Sequence, residues 1–188
     1  MNNERIVMKF EIKSRYSGKV LFTCEVASLR LAVELAVKSK ANLRGASLLG
    51  ASLLGANLQG AKNINKYLTT PLYILLDQPG KIRAYKLVNS TNEGIYKGGI
   101  KYLVGKSQKV SKANTDETAQ CAEGISLATL GWCIKEWKPS YKILVAEFTK
   151  KDIACIPIGS DGKFRVRLCK IVGKKNLKEL GLIEKKIK

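Results

Sequence analysis

Residues 41–60 read ANLRG ASLLG ASLLG ANLQG, and Ala61 opens a further unit. Ala stands at 41, 46, 51, 56 and 61, Leu at 43, 48, 53 and 58, and Gly at 45, 50, 55 and 60. A period of five fits neither the 3.6 residues of an α-helical turn nor the two-residue alternation of a strand. A helix could place some of these leucines on one face. The regularly spaced glycines would each cost it about 1 kcal/mol. The run is an internal repeat with a geometry of its own, and such a repeat is read before anything else in the chain.

The pattern A-(N/D/S)-L-x-x closely resembles that of the pentapeptide-repeat family. The resemblance implies a right-handed quadrilateral β-helix in which four pentapeptides complete one square coil. It assigns Leu43, Leu48, Leu53 and Leu58 as the inward central residues, with Ala41, Ala46, Ala51 and Ala56 packing beside them. Twenty residues make only one coil. One repeat layer cannot bury both of its faces, so it needs neighbours or caps. Residues 7–26 supply a candidate: Lys9-Phe10-Glu11-Ile12 alternates, Tyr16-Ser17-Gly18-Lys19 is a turn, and Val20-Leu21-Phe22 resumes the strand. Ser28 then suits the N-cap of a helix from Leu29 to about Lys38. The hairpin and helix are expected to cap the coil from its N-terminal side.

After a connector at Asn63–Thr70 the character changes to mixed α+β. Strands are predicted at Leu72–Leu76, Lys81–Val88, Tyr141–Phe148, Ile153–Ile158 and Lys163–Val172, with short extended pieces at Lys101–Val104 and Lys109-Val110. A helix is predicted from Leu127 to Trp137 with Ser126 as its cap, and a short one from Asn176 to Leu182. The fold class is α+β: residues 1–66 as hairpin, helix and coil, and residues 67–188 as a basic α+β domain. Residues 82–173 resemble a domain found beside pentapeptide stubs in bacteriophage and prophage proteins. In that group a Cys-x-x-Gly segment is often followed by His. Here it reads Cys121-Ala122-Glu123-Gly124-Ile125-Ser126, with Ser126 in that place. The resemblance implies a phage or mobile-element origin and brings no activity with it.

The 188 residues hold 34 Lys and Arg, 15 Asp and Glu and no His, a formal charge of +19. No Ser-His-Asp or Cys-His pair and no His-containing zinc site can form. The acidic, DNA-mimicking rods best known among pentapeptide proteins are disfavoured by both the charge and the single coil. Cys24, Cys121, Cys133, Cys155 and Cys169 contain no C-x-x-C pair, and reduced, mostly buried thiols are expected. Neither a metal nor a cofactor is expected. Gly99 to Gly105 is one residue too long for a P-loop ahead of Lys106-Ser107. Met1–Phe10 is charged at Glu4, Arg5 and Lys9, so no secretory signal is expected, and no apolar run is long enough for a bilayer. A cytoplasmic protein without membrane contact is expected, with its oligomeric state left open.

The strongest functional signal is basic. Lys163, Arg165, Arg167, Lys170, Lys174, Lys175 and Lys178 precede Lys185, Lys186 and Lys188, with only Glu179 and Glu184 opposing them. On one strand Lys163, Arg165 and Arg167 would face the same way, a row suited to phosphate oxygens. Lys135, Lys138 and Lys142 lie near Trp132, Trp137 and Tyr141, a second candidate patch for stacking and phosphate contact. The plainer alternatives are a solvated lysine-rich surface and tryptophans that belong to the core. Glu147, inside an apolar strand, either faces outward or is buried with a shifted pKa. The expected function is a non-enzymatic phage-type accessory or inhibitory protein. It would bind nucleic acid, a ribonucleoprotein or a nucleic-acid-processing host complex, and an anti-defence, anti-CRISPR-like role fits. A virion-associated structural protein and a divergent ADP-ribosyltransferase-like enzyme are the alternatives. The latter lacks the ordered Arg or His, Ser-Thr-Ser and Glu constellation.

Overall fold

The computed structural model describes residues 7–48, 65–96 and 98–184. The chain divides into two compact units. The first runs to Tyr73 and adds Asp116–Cys121 and Pro157–Asp161; the second comprises Ile74–Thr115, Ala122–Ile156 and Gly162 onward.

In the first unit β1 (Met8–Lys13) and β2 (Val20–Val26) form the expected antiparallel hairpin. Phe10 pairs with Cys24 and Ile12 with Phe22, so the apolar residues share one face. Helix α1 (Leu29–Lys38) begins as the sequence predicts: Ser28 is extended and its Oγ accepts the Leu31 N–H at 3.3 Å. Its inner face is Ala32, Val33 and Ala36, all fully buried. The first repeat residues follow the inward pattern that the family resemblance implies. Leu43, Ala46 and Leu48 are buried while Asn42, Arg44 and Ser47 are exposed. They join Ile12, Val33, Ala36 and Ile158 in one apolar cluster. Backbone bonds extend the hairpin onto the repeat: the Arg15 N–H donates to Gly45 O and the Ser47 N–H to Lys13 O, each at 2.9 Å. Gly45 is required there, because its φ is +72° and a Cβ would sit 3.0 Å from the Tyr16 ring. Leu53 and Leu58, with Ala51 and Ala56, lie outside the described residues.

Residues Pro71–Leu76 form a 3₁₀ helix, not the expected strand. Proline presets helical φ at the first position, and Thr70 Oγ1 accepts the Leu72 N–H at 3.4 Å. The segment has no alternation to hold it in a sheet.

The second unit is built on a seven-stranded sheet: β3 (Lys81–Val88), β4 (Ser107–Lys109), β5 (Ile125–Ala128), β6 (Lys142–Thr149), β7 (Ile153–Cys155), β8 (Lys163–Val166) and β9 (Leu168–Lys174). The strand order is β4-β9-β6-β3-β5-β8-β7. The expected single strand at Lys163–Val172 is therefore two. Arg167 leaves the ladder: its N–H donates to Asp152 O at 2.7 Å and its carbonyl accepts from Val110 at 3.0 Å. β8 and β9 are one residue apart in the chain yet four places apart in the sheet. Only a strongly curled sheet permits that. Its concave face carries Ile82, Ala84, Leu144, Ala146, Phe148, Ile125, Leu127, Phe164, Val166 and Ile171, all buried. Phe148 and Phe164 meet there at a centroid distance of 5.4 Å.

The expected helix at Leu127–Trp137 is shorter and later. Leu127 belongs to β5, and α2 spans Leu130–Lys135. Thr129, not Ser126, caps it: Thr129 Oγ1 accepts the Trp132 N–H at 3.3 Å, while the Thr129 N–H donates to Gly162 O at 2.8 Å. With Trp132 and Cys133, α2 covers Leu87, Ala128 and Ile143 at one end of the convex face. The segment Asn176–Leu182 is a run of turns, not a helix. Asn176 Oδ1 accepts the Lys178 N–H at 3.1 Å as an N-cap would, but Gly181, with φ at +69°, ends the segment after one turn.

Candidate nucleic-acid interface

The end of the convex face not covered by α2 carries charge. On β3 the alternation Lys81, Ile82, Arg83, Ala84 sends the basic residues outward and the apolar ones into the concave core. Antiparallel register then sets Arg83 opposite Glu147, Glu147 opposite Lys170, and Lys170 opposite Ser107. Lys109 lies two residues along β4 on the same side. Four strands at about 4.8 Å spacing make this face about 14 Å wide. Lys81 and Arg83 side chains are 75% and 68% exposed, and Lys109 and Lys170 are exposed.

Glu147 is the acidic residue within the row. Its Oε1 lies 3.0 Å from Lys81 Nζ and its Oε2 3.6 Å from Arg83 Nε. The Lys81 hydrogen bond, aided by the charges of Lys81 and Arg83, holds the carboxyl below its usual range. Glu147 is thus an ionised, outward residue. Of the two sequence readings, the outward one describes it.

The residues singled out in the sequence scatter. Lys163 and Arg165 are buried at 7% and 2% exposure, and they do not form an exposed phosphate row. They stand on the convex side, opposite Ala128 and Ser126, where other segments cover them. Lys163 Nζ lies 5.5 Å from the centre of the Tyr96 ring and 5.8 Å from that of Trp132. Arg165 Nε donates to Asn114 O at 3.1 Å and packs against Gly124. Arg167 is exposed at the strand break and donates to Ile153 O at 3.0 Å. Lys170 belongs to the row. Lys174 and Lys178 are exposed elsewhere on the unit, and Lys175 is half-buried.

Lys135 and Lys138 are exposed. Lys142 instead closes a turn, donating to Ser90 O (3.0 Å) and Asn92 Oδ1 (2.9 Å). Trp132 is buried, and half-buried Trp137 donates to Tyr141 O at 3.0 Å, so neither indole offers an open stacking surface. Lys81, Arg83 and Lys109 were legible only as ordinary strand charges. Their meaning comes from the register that lines them up with Lys170.

Elsewhere the chemistry is quiet. The Cys133 and Cys169 thiols are pushed up by burial to about 12 and about 11, the opposite of an activated nucleophile. Among the described residues no group of His, Cys, Asp and Glu could hold a metal, and no helix is long and apolar enough to cross a membrane.

Residues 39–62 match the family model described as pentapeptide repeats (8 copies). No curated protein matches the chain, and no solved structure matches it.

Proposed function

We propose that the protein is a non-enzymatic accessory or inhibitory factor of phage type. On this reading it binds nucleic acid, or a nucleic-acid-processing complex of the host, through the convex basic face. The observation that carries the reading is the cross-strand arrangement of Lys81, Arg83, Lys109 and Lys170 on rigid strands. Exposed cations at fixed spacing can neutralise several phosphates at once, and none of the four is withdrawn into the core. The overall +19 charge adds long-range attraction for the same ligands. An anti-defence role, including inhibition of a CRISPR effector, is one use of such a surface.

In the N-terminal unit we propose one coil of right-handed quadrilateral β-helix over residues 41–60, capped by β1, β2 and α1. Burial of Leu43, Ala46 and Leu48 with exposure of Arg44 and Ser47 supports it.

The test is a salt titration with single-stranded and duplex oligonucleotides. Four phosphate contacts set the steepest slope of log K against log salt that the face can give, about −3 to −4. Reversal of two charges, Arg83→Glu with Lys170→Glu, should flatten that slope by about two and weaken binding to all sequences alike. Absence of binding at low salt would refute direct nucleic-acid contact.

A further inference from the structure

We infer that Glu147 is an intramolecular competitor for phosphate, holding the affinity of the basic face below what its cations alone would give. The inference rests on the nucleic-acid reading of that face and adds a residue that regulates it.

Glu147 stands between Arg83 on β3 and Lys170 on β9 in one cross-strand row. Its carboxylate meets Lys81 at 3.0 Å and Arg83 at 3.6 Å. The side chain is only 14% exposed, whereas Lys81 and Arg83 are 75% and 68% exposed. The acid is set into the floor of the sheet, and the two cations stand in water above it. A phosphate arriving from solvent seeks the N–H donors that the carboxylate already engages. Binding must therefore weaken those ion pairs or share their donors. The acid also lowers the charge of the row of Lys81, Arg83, Lys109 and Lys170 from four to three. Fewer phosphates are then neutralised, and fewer counterions leave the nucleic acid on binding. Because the neighbouring cations keep Glu147 ionised, this restraint stays in force at neutral pH.

The opposite role is also physically defined: the acid could fix the two cations in a geometry that phosphate requires. The two roles differ in sign. Glu147→Gln retains the shape of the side chain and removes its charge. Under competition the variant binds a labelled mixed-sequence duplex about fivefold tighter at low salt, a gain on the scale of exposed ion pairs, and its salt slope steepens by about one. On an Arg83→Gln, Lys81→Gln background the same change has a much smaller effect, since the competed donors are gone. Equal or weaker binding by Glu147→Gln, with wild type binding normally, overturns the inference and leaves the nucleic-acid reading intact. Failure of both wild type and variant to bind at low salt overturns both. Glu147→Asp, which keeps the charge, should stay close to wild type, and unchanged thermal unfolding of each variant confirms that folding is not what is measured.

Discussion

Lys86 offers the sharpest test of how the second unit is put together. It lies on β3 between Tyr85 and Leu87, and alternation turns its side chain into the concave core opposite Leu144. Nζ donates to Ser126 O at 2.9 Å and lies 4.6 Å from the centre of the Tyr102 ring. Among the described residues its electrostatic neighbours are the Cys169 and Cys133 thiols and the Lys163 ammonium, with no carboxylate. Burial is the main cause that brings its pKa from 10.5 down to about 8. The sign follows from linkage. Between these two values the unfolded chain keeps the proton that the folded chain has lost, so stability rises with pH. The drop from 10.5 to about 8 corresponds to about 3 kcal/mol of stability, absent below the folded value and fully recovered above the unfolded one.

Two buried thiols of the same unit have an opposing effect. Cys133 and Cys169 titrate in the unfolded chain near 9.0 but are held up to about 12 and about 11 when folded, chiefly by burial. Above the unfolded value they bind protons that the unfolded chain has released, so stability falls with pH. One amine rising against two thiols falling puts the wild-type maximum at about pH 9. Lys86→Met isolates the amine. It replaces the buried charge with an apolar chain of similar length and sacrifices the bond to Ser126 O, a loss of about 1 kcal/mol. At neutral pH the variant should be more stable by about 2 kcal/mol, and the advantage should vanish by about pH 10. Denaturant unfolding at stepped pH under reducing conditions measures both curves. Parallel stability profiles for wild type and variant would refute the burial of the ammonium as the cause.

Two further substitutions test particular contacts. At Gly162, φ is +130° and an added Cβ would lie 2.5 Å from Thr129 Oγ1 and 3.1 Å from Trp132 Cβ. Gly162→Ala should cost about 3 kcal/mol or more by combining backbone strain with overpacking, read by chemical denaturation. Leu43→Ala removes a side chain that is 1% exposed and should cost about 2 to 5 kcal/mol, whereas Arg44→Ala beside it should stay within about 0.5 kcal/mol. Equal effects at 43 and 44 would contradict the inward placement of the repeat leucine.

Legibility of the sequence followed locality. Ser28 caps α1 as read, because the cap bond spans three residues and depends on nothing distant. The hairpin and β3 were likewise written in alternation. Two of the failures share a non-local cause. Leu127, Leu130, Ile134 and Trp137 have helical spacing, but Ile125–Ala128 pairs with β8 and takes Leu127 into a strand. Lys163, Arg165 and Arg167 alternate as an outward row should. They do share a strand side up to Arg165, yet Trp132, Tyr96 and Asn114 close over it from distant parts of the chain. Outward from a sheet is not the same as exposed when loops and α2 cover one end.

That distinction moves the proposed binding surface without changing its chemistry. In the sequence the positive charge is densest after Lys163, which favours a basic C-terminal segment as the contact. In the fold, Lys163 and Arg165 are withdrawn, while Lys81, Arg83 and Lys109 come from earlier strands to meet Lys170. A basic C-terminal segment and a four-strand face can have the same salt dependence, since that slope counts phosphates and not their arrangement. They differ in how substitutions combine. Cations on neighbouring rigid strands share one electrostatic field and one competing carboxylate, so Arg83 and Lys81 should be coupled to Glu147 in double-mutant cycles. Lys174 and Lys178 lie outside that row, and their substitutions should add independently.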